Sequence, residues 1–188
     1  MIDTAIKREP RFRNSRRDAD ATPKEFDEIV VNVDRVARVV KGGRRFRFKA
    51  LVVVGNHKDK VGVGVAKGAD VQAAIAKASE VAKKHVIKIA IHKDTIPHDC
   101  EIKYSGARVL IKPASPGTGV IAGGVVRSII GVTGIKDLLT KSLGSNNKVN
   151  IAYATIEALK NLVPKNQWVN SSDSSPKIAK KDQEKKND

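Results

Sequence analysis

The stretch RVARVVKGGRRFRFK, residues 35–49, decides the fold of the first half of the chain, because it predicts two strands joined at a glycine pair. Gly42 and Gly43 are expected to supply the positive φ angles of a tight two-residue reversal. Successive side chains of a strand point to opposite faces. From residue 45 onward Arg45, Arg47 and Lys49 therefore share one face, and Phe46, Phe48 and Ala50 are expected to pack into a core on the other.

The same stretch predicts a polyanionic partner. It holds seven cations and no acid: Arg35, Arg38, Lys41, Arg44, Arg45, Arg47 and Lys49. Like charges on neighbouring strands repel each other, so a hairpin without an anionic partner would gain from mixed signs. An ordinary solvated strand face is the simpler alternative. The whole chain has 36 Lys plus Arg against 20 Asp plus Glu, a net charge of +16 that is typical of nucleic-acid-binding proteins.

Composition argues against two other classes of protein. A membrane binder needs an amphipathic helix with bulky aromatics or an apolar span of about 20 residues, and the sequence shows neither. Residues 1–10 hold both signs of charge and no apolar segment of signal-peptide type, which predicts a cytoplasmic protein. Cys100 is the only cysteine, so a disulfide framework or a four-cysteine zinc site is not expected within one chain.

Apolar periodicity predicts a small sheet-plus-helix domain around the hairpin. A shift of apolar parity along the first strand predicts a bulge near Asp34 and Arg35. Gly62 and Gly64 on the third strand are expected to let another backbone approach closely. The predicted elements are strands near residues 29–40, 44–54 and 61–65, a helix over 71–82, and a strand over 86–91 that leads out of the domain.

The second half predicts an α/β domain with two helices on one side of a sheet. Its elements are a hairpin over residues 101–104 and 107–112, a helix near 122–132, a strand over 135–142 and a helix over 149–162. The fold class is therefore α+β. The predicted organisation is a basic N-terminal extension at 1–24, an RNA-binding-like domain at 25–90, a C-terminal domain at 91–165 and a disordered tail at 166–188. The extension is expected either to lie along phosphates or to be a floppy leader.

A glycine-rich segment between a strand and a helix has the general form of a phosphate site. Amides at a helix start hold phosphates well, and Arg127 follows one turn into the helix. The spacing does not fit a dinucleotide fingerprint, and no Gly-Lys-Ser/Thr follows for a P-loop. We expect this segment to hold a backbone phosphate or an acidic side chain of a partner. The residues concerned are Gly117, Thr118, Gly119, Gly123, Gly124 and Arg127.

Metal binding and catalysis have little support in the sequence. His92, His98 and Cys100 form at most a partial metal constellation on one segment, so no metal site is expected. No Ser-His-Asp or Cys-His arrangement has an interpretable spacing. With seven aromatic residues in the chain, a stacking platform for bases is not expected either.

Three motifs, in this order, resemble bacterial ribosomal small-subunit protein five. They are VARVVKGGR at residues 36–44, VGVG at 61–64 and PASPGTGVIAGG at 113–124, and the similarity spans about residues 26–163. The resemblance implies an N-terminal domain like a double-stranded-RNA-binding fold without its first helix. It also implies a C-terminal domain with a left-handed βαβ crossover.

The resemblance further implies partners and site residues. Members of that family bind small-subunit ribosomal RNA, contact small-subunit proteins four and eight, help assembly and decoding accuracy, and help line the entry path of messenger RNA. By this resemblance Lys41, Gly42, Gly43 and Arg44 reach into RNA, in the loop that the family places near the spectinomycin site. Arg38, Arg45 and Arg47 contact phosphates, Lys67 is a further contact, and Arg35 and Lys49 complete the predicted RNA-binding set.

The sequence therefore predicts a non-enzymatic, RNA-binding structural protein of the bacterial small ribosomal subunit that needs no cofactor. Two alternatives stay open. One is a free-standing regulator that binds duplex RNA. The other is a nucleotide-dependent enzyme that uses the segment 117–124.

Overall fold

The structure is a computed structural model that describes residues 26–168. Its strands are β1 (Asp27–Val40), β2 (Gly43–Gly55), β3 (Lys60–Gly68), β4 (Val86–Lys88), β5 (Cys100–Tyr104), β6 (Ala107–Pro113), β7 (Val120–Ile121) and β8 (Leu138–Gly144). Its α-helices are α1 (Val71–Lys84), α2 (Gly124–Gly131) and α3 (Lys148–Lys160), and a 3-10 helix follows at Lys165–Gln167. The predicted basic extension at 1–24 and residues 169–188 of the predicted tail lie outside the described residues.

The first sheet is antiparallel, in the order β1-β2-β3-β4. The predicted strand over 86–91 is the short β4, which joins the edge of the sheet beside β3 instead of only leading out of the domain. The register of β1 against β2 shifts between Val30 and Asn32. The bulge predicted near Asp34 and Arg35 is therefore wrong, because the extra residue lies at Val31.

Helix α1 covers one face of this sheet. Ala50, Val52 and Val54 of β2 are buried there in a cluster that includes alanines of α1. A Cβ on Gly64 would lie 2.1 Å from the carbonyl oxygen of Ala78, so helix and strand approach closely because this position has no side chain. The prediction that Gly62 and Gly64 let another backbone approach β3 closely is confirmed.

The opposite face of the same strands packs against the second domain. Leu51 and Val53 of β2 and Val61 of β3 belong to one hydrophobic cluster with side chains of β6, α2 and α3. The amide of His57, in the turn after β2, donates a 2.9 Å hydrogen bond to the carbonyl of Val132 after α2. The inner half of the first sheet is thus covered on both faces.

The second sheet has the order β5-β6-β8-β7, antiparallel except where β7 runs parallel to β8. The chain passes from β7 to β8 through α2, and α3 packs on β5 and β6. Together with the N-terminal sheet and helix, this confirms the predicted α+β class with two helices on the second sheet. The left hand of the βαβ crossover stays a prediction.

Both helices of the second domain are shorter than their apolar patterns predict. Helix α2 begins at Gly124 instead of near residue 122, because the two-residue strand β7 precedes it. Helix α3 begins one residue earlier than predicted, at Lys148, and ends two residues earlier, at Lys160. The side chain of Asn147 caps its start by accepting a 3.1 Å hydrogen bond from the amide of Val149. The predicted strand over 135–142 lies at 138–144.

Candidate nucleic-acid interface

The hairpin β1–β2 turns at Lys41 and Gly42, since Val40 pairs with Gly43. Of the two glycines at this turn, only Gly42 has a positive φ, of 85°. A positive φ at the third turn position is the requirement of a type II turn. The expectation that both glycines supply positive φ angles is wrong, because Gly43 is already the first residue of β2.

One face of the outer hairpin carries five cations, which we call the cationic face: Arg38, Arg45, Arg47, Lys49 and Lys67. The register explains this grouping, because Arg38 pairs with Arg45 and Lys49 pairs with Lys67. Arg47 lies two residues from both of its charged neighbours on β2 and therefore shares their face. The predicted common face of Arg45, Arg47 and Lys49 is confirmed, and Lys67 is brought beside them.

A shallow cavity of about 270 Å³ opens on this face. Its lining residues are Val36, Ala37, Arg38, Arg45, Arg47 and Lys67. Guanidinium and ammonium groups thus border an apolar floor on β1. Two cations held about 6 Å apart in water repel each other by about 0.7 kcal/mol. A bound anion relieves this repulsion, so the grouping of cations favours anion binding.

Lys49 differs from the other four cations of this face because it forms an ion pair with Asp34. The carboxylate of Asp34 lies 2.8 Å from Lys49 Nζ and accepts a 2.6 Å hydrogen bond from Asn32 Nδ2. These bonds, with that from Lys49 the stronger influence, lower the pKa of Asp34 below its ordinary value. Lys49 is therefore neutralised within the chain. The sequence reading missed Asp34, although its place opposite Lys49 follows from the pairing of the two strands.

The remaining predicted cations lie elsewhere on the hairpin. Arg35 and Arg44 lie on the helix side of the sheet by strand alternation, and Lys41 is in the turn. The Arg35 guanidinium carbon lies 3.7 Å from the centre of the Phe46 ring, a cation–π contact. Phe46 is 49% exposed, so its predicted place in the core is wrong, whereas Ala50 is fully buried and Phe48 is half-buried.

The glycine-rich segment before α2 is held by internal hydrogen bonds. Thr118 donates from its amide and its hydroxyl to the carbonyl of Ser115, at 3.1 and 2.7 Å. The buried carboxylate of Asp137 accepts a 2.8 Å bond from the amide of Gly119. Because a carboxylate already occupies this amide, Gly119 is not free for a phosphate. The sequence reading missed Asp137.

The start of α2 is open by comparison. Gly123 is its N-cap and, like Gly124, is exposed, and its first turn holds no acidic residue. Arg127 is exposed on the same short helix, where its amide bonds the carbonyl of Gly123 at 2.8 Å. The structure therefore brings Gly123, Gly124 and Arg127 together on one helix, while the Gly117 to Gly119 loop precedes β7.

The three side chains of the partial metal constellation have separate surroundings. His92 forms an isolated bridge with Thr95, and Cys100 is half-buried in β5. His98 Nε2 accepts a 3.0 Å hydrogen bond from the amide of Val163, after α3. Within residues 26–168 no group of three His, Cys, Asp or Glu side chains has a metal-binding arrangement.

Comparison with known proteins identifies the family of this chain. Residues 26–90 match the family profile "Ribosomal protein S5, N-terminal domain", and residues 102–169 match "Ribosomal protein S5, C-terminal domain". The chain belongs to the ribosomal protein S5 family. The predicted resemblance to bacterial small-subunit protein five is confirmed. The prediction of a ribosomal protein of the small subunit is confirmed with it.

Curated relatives share most of the described chain. Three are named "Small ribosomal subunit protein uS5", from Campylobacter jejuni subsp. jejuni serotype O:23/36 (strain 81-176), serotype O:6 (strain 81116 / NCTC 11828) and Campylobacter jejuni strain RM1221. Each is 57% identical to this chain over 135 residues, which is 72% of this chain and 92% of the relative. In the part of the chain that is described, no helix has the length and apolarity to cross a membrane.

Proposed function

We propose that this S5 family member is a structural component of the small ribosomal subunit that binds folded ribosomal RNA through its cationic face and hairpin turn. One observation carries the proposal. Arg38, Arg45, Arg47 and Lys67 surround a cavity, and none of them has an acidic ion-pair partner among residues 26–168. Cations grouped in this way neutralise crowded phosphates.

The chemistry of the face favours phosphate contacts over base reading. Arginine forks match phosphate geometry, and contacts to phosphates position a protein on RNA without reading its sequence. Bases are usually recognised by stacking on exposed aromatic rings or guanidinium planes. The one aromatic side chain of the outer hairpin with large exposure, Phe46, already has Arg35 over its ring. We infer that RNA shape sets the site.

The hairpin turn is the second part of the proposed RNA contact. Lys41 and Arg44 flank the glycines of the turn, and all four residues are exposed. A Cβ built on Gly42 or Gly43 would meet no atom of the described chain within 4 Å, so RNA can approach the backbone closely there. The turn reaches into RNA while the cationic face lies along phosphates.

We further propose that the second domain contacts proteins. By its resemblance to the family, this chain contacts small-subunit proteins four and eight and supports assembly, accuracy and the entry of messenger RNA. The open start of α2 with exposed Arg127 suits an acidic side chain of a neighbouring protein. The Gly119 amide already donates to the carboxylate of Asp137, so it is not available to a nucleotide phosphate. This makes a nucleotide site, and hence the enzyme alternative, less favourable.

Sucrose-gradient fractionation of a cell lysate tests the proposal. We expect the full chain to sediment with the small subunit, because its RNA contact is part of the particle. A variant with Arg38→Ala, Arg45→Ala and Arg47→Ala should shift toward the top of the gradient. Recovery of the unaltered chain apart from ribosomal particles, bound to generic duplex RNA, would instead support the free-standing regulator.

A further inference from the structure

The second sheet leaves one of its faces open. Val109 and Ile111 of β6 point into the core shared with α2 and α3, so Leu110 between them points to the other side. The register places Leu110 opposite Lys141 and, at the parallel pair, Ile121 opposite Leu139. We call this side of the sheet the open face.

Four large aliphatic side chains lie on the open face. Ile121 is 54% exposed and Leu139 is 37% exposed, and Leu110 and Leu143 are half-buried. None of the four packs with the core of the described chain. The solvated face of an antiparallel sheet normally carries polar side chains. Exposed or half-buried aliphatic side chains on three of the four strands of such a face, here β6, β7 and β8, indicate a surface that is covered when the protein is at work.

The charges around these side chains are almost all positive. Lys103, Lys112 and Lys141 are exposed, and none of them forms an ion pair within residues 26–168. The acid of this face, Glu101, is bound at 2.7 Å by Arg108. The open face therefore presents aliphatic groups among uncompensated lysines, and its complement is an apolar surface bordered by acids.

We propose that the open face binds a protein that presents apolar side chains of leucine size flanked by Asp or Glu. RNA fits this face less well, because phosphates and sugars would satisfy the lysines but leave four aliphatic side chains without apolar contacts. The apolar centre thus distinguishes the open face from the cationic face. There, Arg38, Arg45 and Arg47 border a floor on which only Val36 is a large aliphatic.

The size of the open face indicates where this contact forms. Its four strands hold 5, 7, 2 and 7 residues, which at about 3.4 Å per residue and about 4.8 Å between strands gives roughly 340 Å². A stable two-protein complex buries about 800 Å² on each partner. The open face alone is too small for a lasting complex in solution. We infer that the contact forms inside a particle in which other contacts hold both proteins, so this inference rests on the proposed function.

Photo-crosslinking in the assembled particle tests this inference. The full chain carries p-benzoylphenylalanine in place of Ile121, and small subunits are isolated on a sucrose gradient and irradiated. We expect an adduct that protease removes and nuclease does not. Lys141→Glu should lower its yield about tenfold, because the reversed charge faces an acidic partner surface. Lys77→Glu, on the solvent side of α1, is the matched control and should leave the yield unchanged.

Each other result overturns a defined part of the argument. An adduct to RNA, to the chain's own residues or to a second copy, or no adduct in particles that contain the chain, overturns the inference alone. Equal yields from Lys141→Glu and Lys77→Glu overturn the charge complementarity on which it depends. Absence of the unaltered chain from the particle fraction overturns the proposed function, and the inference with it. The same gradient distinguishes these cases.

Discussion

Removing two arginines from the cationic face should halve the salt sensitivity that this face gives to RNA binding. The perturbation is the double variant Arg45→Ala, Arg47→Ala. Both side chains are exposed and line the cavity, and neither has an acidic partner among residues 26–168. Their loss should therefore remove phosphate contacts without unfolding the sheet.

The expected magnitude follows from a count of available charges. Four cations of the face are free to contact phosphates, because Lys49 is bound to Asp34 at 2.8 Å. Each phosphate contact adds about 0.9 to the slope of log K against log salt, so the face contributes about 3.6 and the variant loses about 1.8. Between about 50 and 200 mM salt, the loss of affinity should be about 12-fold smaller for the variant than for the unaltered chain.

The assay is filter binding to a full-length small-subunit ribosomal RNA transcript over that salt range. The matched control is Lys77→Ala with Lys84→Ala, which removes two exposed charges from α1 on the other side of the sheet. Its slope should stay close to that of the unaltered chain. If both double variants lose the same slope, net charge alone governs binding and the cationic face has no special role.

Four further variants test other parts of the structure. Gly42→Ala should cost about 1 kcal/mol of turn stability and weaken RNA binding, because φ is 85° there. Gly43→Ala strains no positive φ, so it should leave melting unchanged and weaken RNA binding less, through its added Cβ alone. Gly55→Ala should lower the free energy of unfolding by about 1–3 kcal/mol in thermal melts, since its Cβ would lie 2.3 Å from a carbonyl oxygen of the second domain; an unchanged melt would show that the two domains separate easily. The lowered folded-state pKa of Asp34 means that its bond to Lys49 stabilises the fold above the unfolded pKa and is lost as pH falls through the folded pKa. Asp34→Asn should abolish this part of the pH dependence and, by freeing Lys49, steepen the salt slope of RNA binding by up to about 0.9, and an unchanged slope would contradict the assigned neutralisation.

Strand alternation predicted the cationic face because it depends only on the period of two along β2. Arg45, Arg47 and Lys49 lie together for this reason. The burial of Phe46 depends on how far α1 reaches along β2, and the alternation of side chains gives no information about that length. Helix α1, with 14 residues, is about 21 Å long, whereas the 13 residues of β2 extend over about 43 Å. The helix therefore covers the inner half of the strand and leaves Phe46 exposed.

Two other differences arose where the sequence is locally ambiguous. Residues 29–31 are all apolar, so no change of pattern marks the extra residue at Val31. Side-chain partners at a distance, such as Asp137 on the Gly119 amide, need the tertiary structure because 18 positions separate them. The turn at Gly42, in contrast, was within one residue of its predicted position because glycine is the local signal.

The cover on both faces of β2 ends sharply along the strand. Residues 50–55 are all buried between α1 and the second domain, and residues 43–47 are all exposed. The outer five residues of β2 thus extend beyond their support by about 16 Å. A tilt of about 7° at the support would displace the turn by about 2 Å, enough to break a hydrogen bond. Substitutions of residues that are buried at the domain junction should therefore displace the β1–β2 turn, although those residues do not contact it.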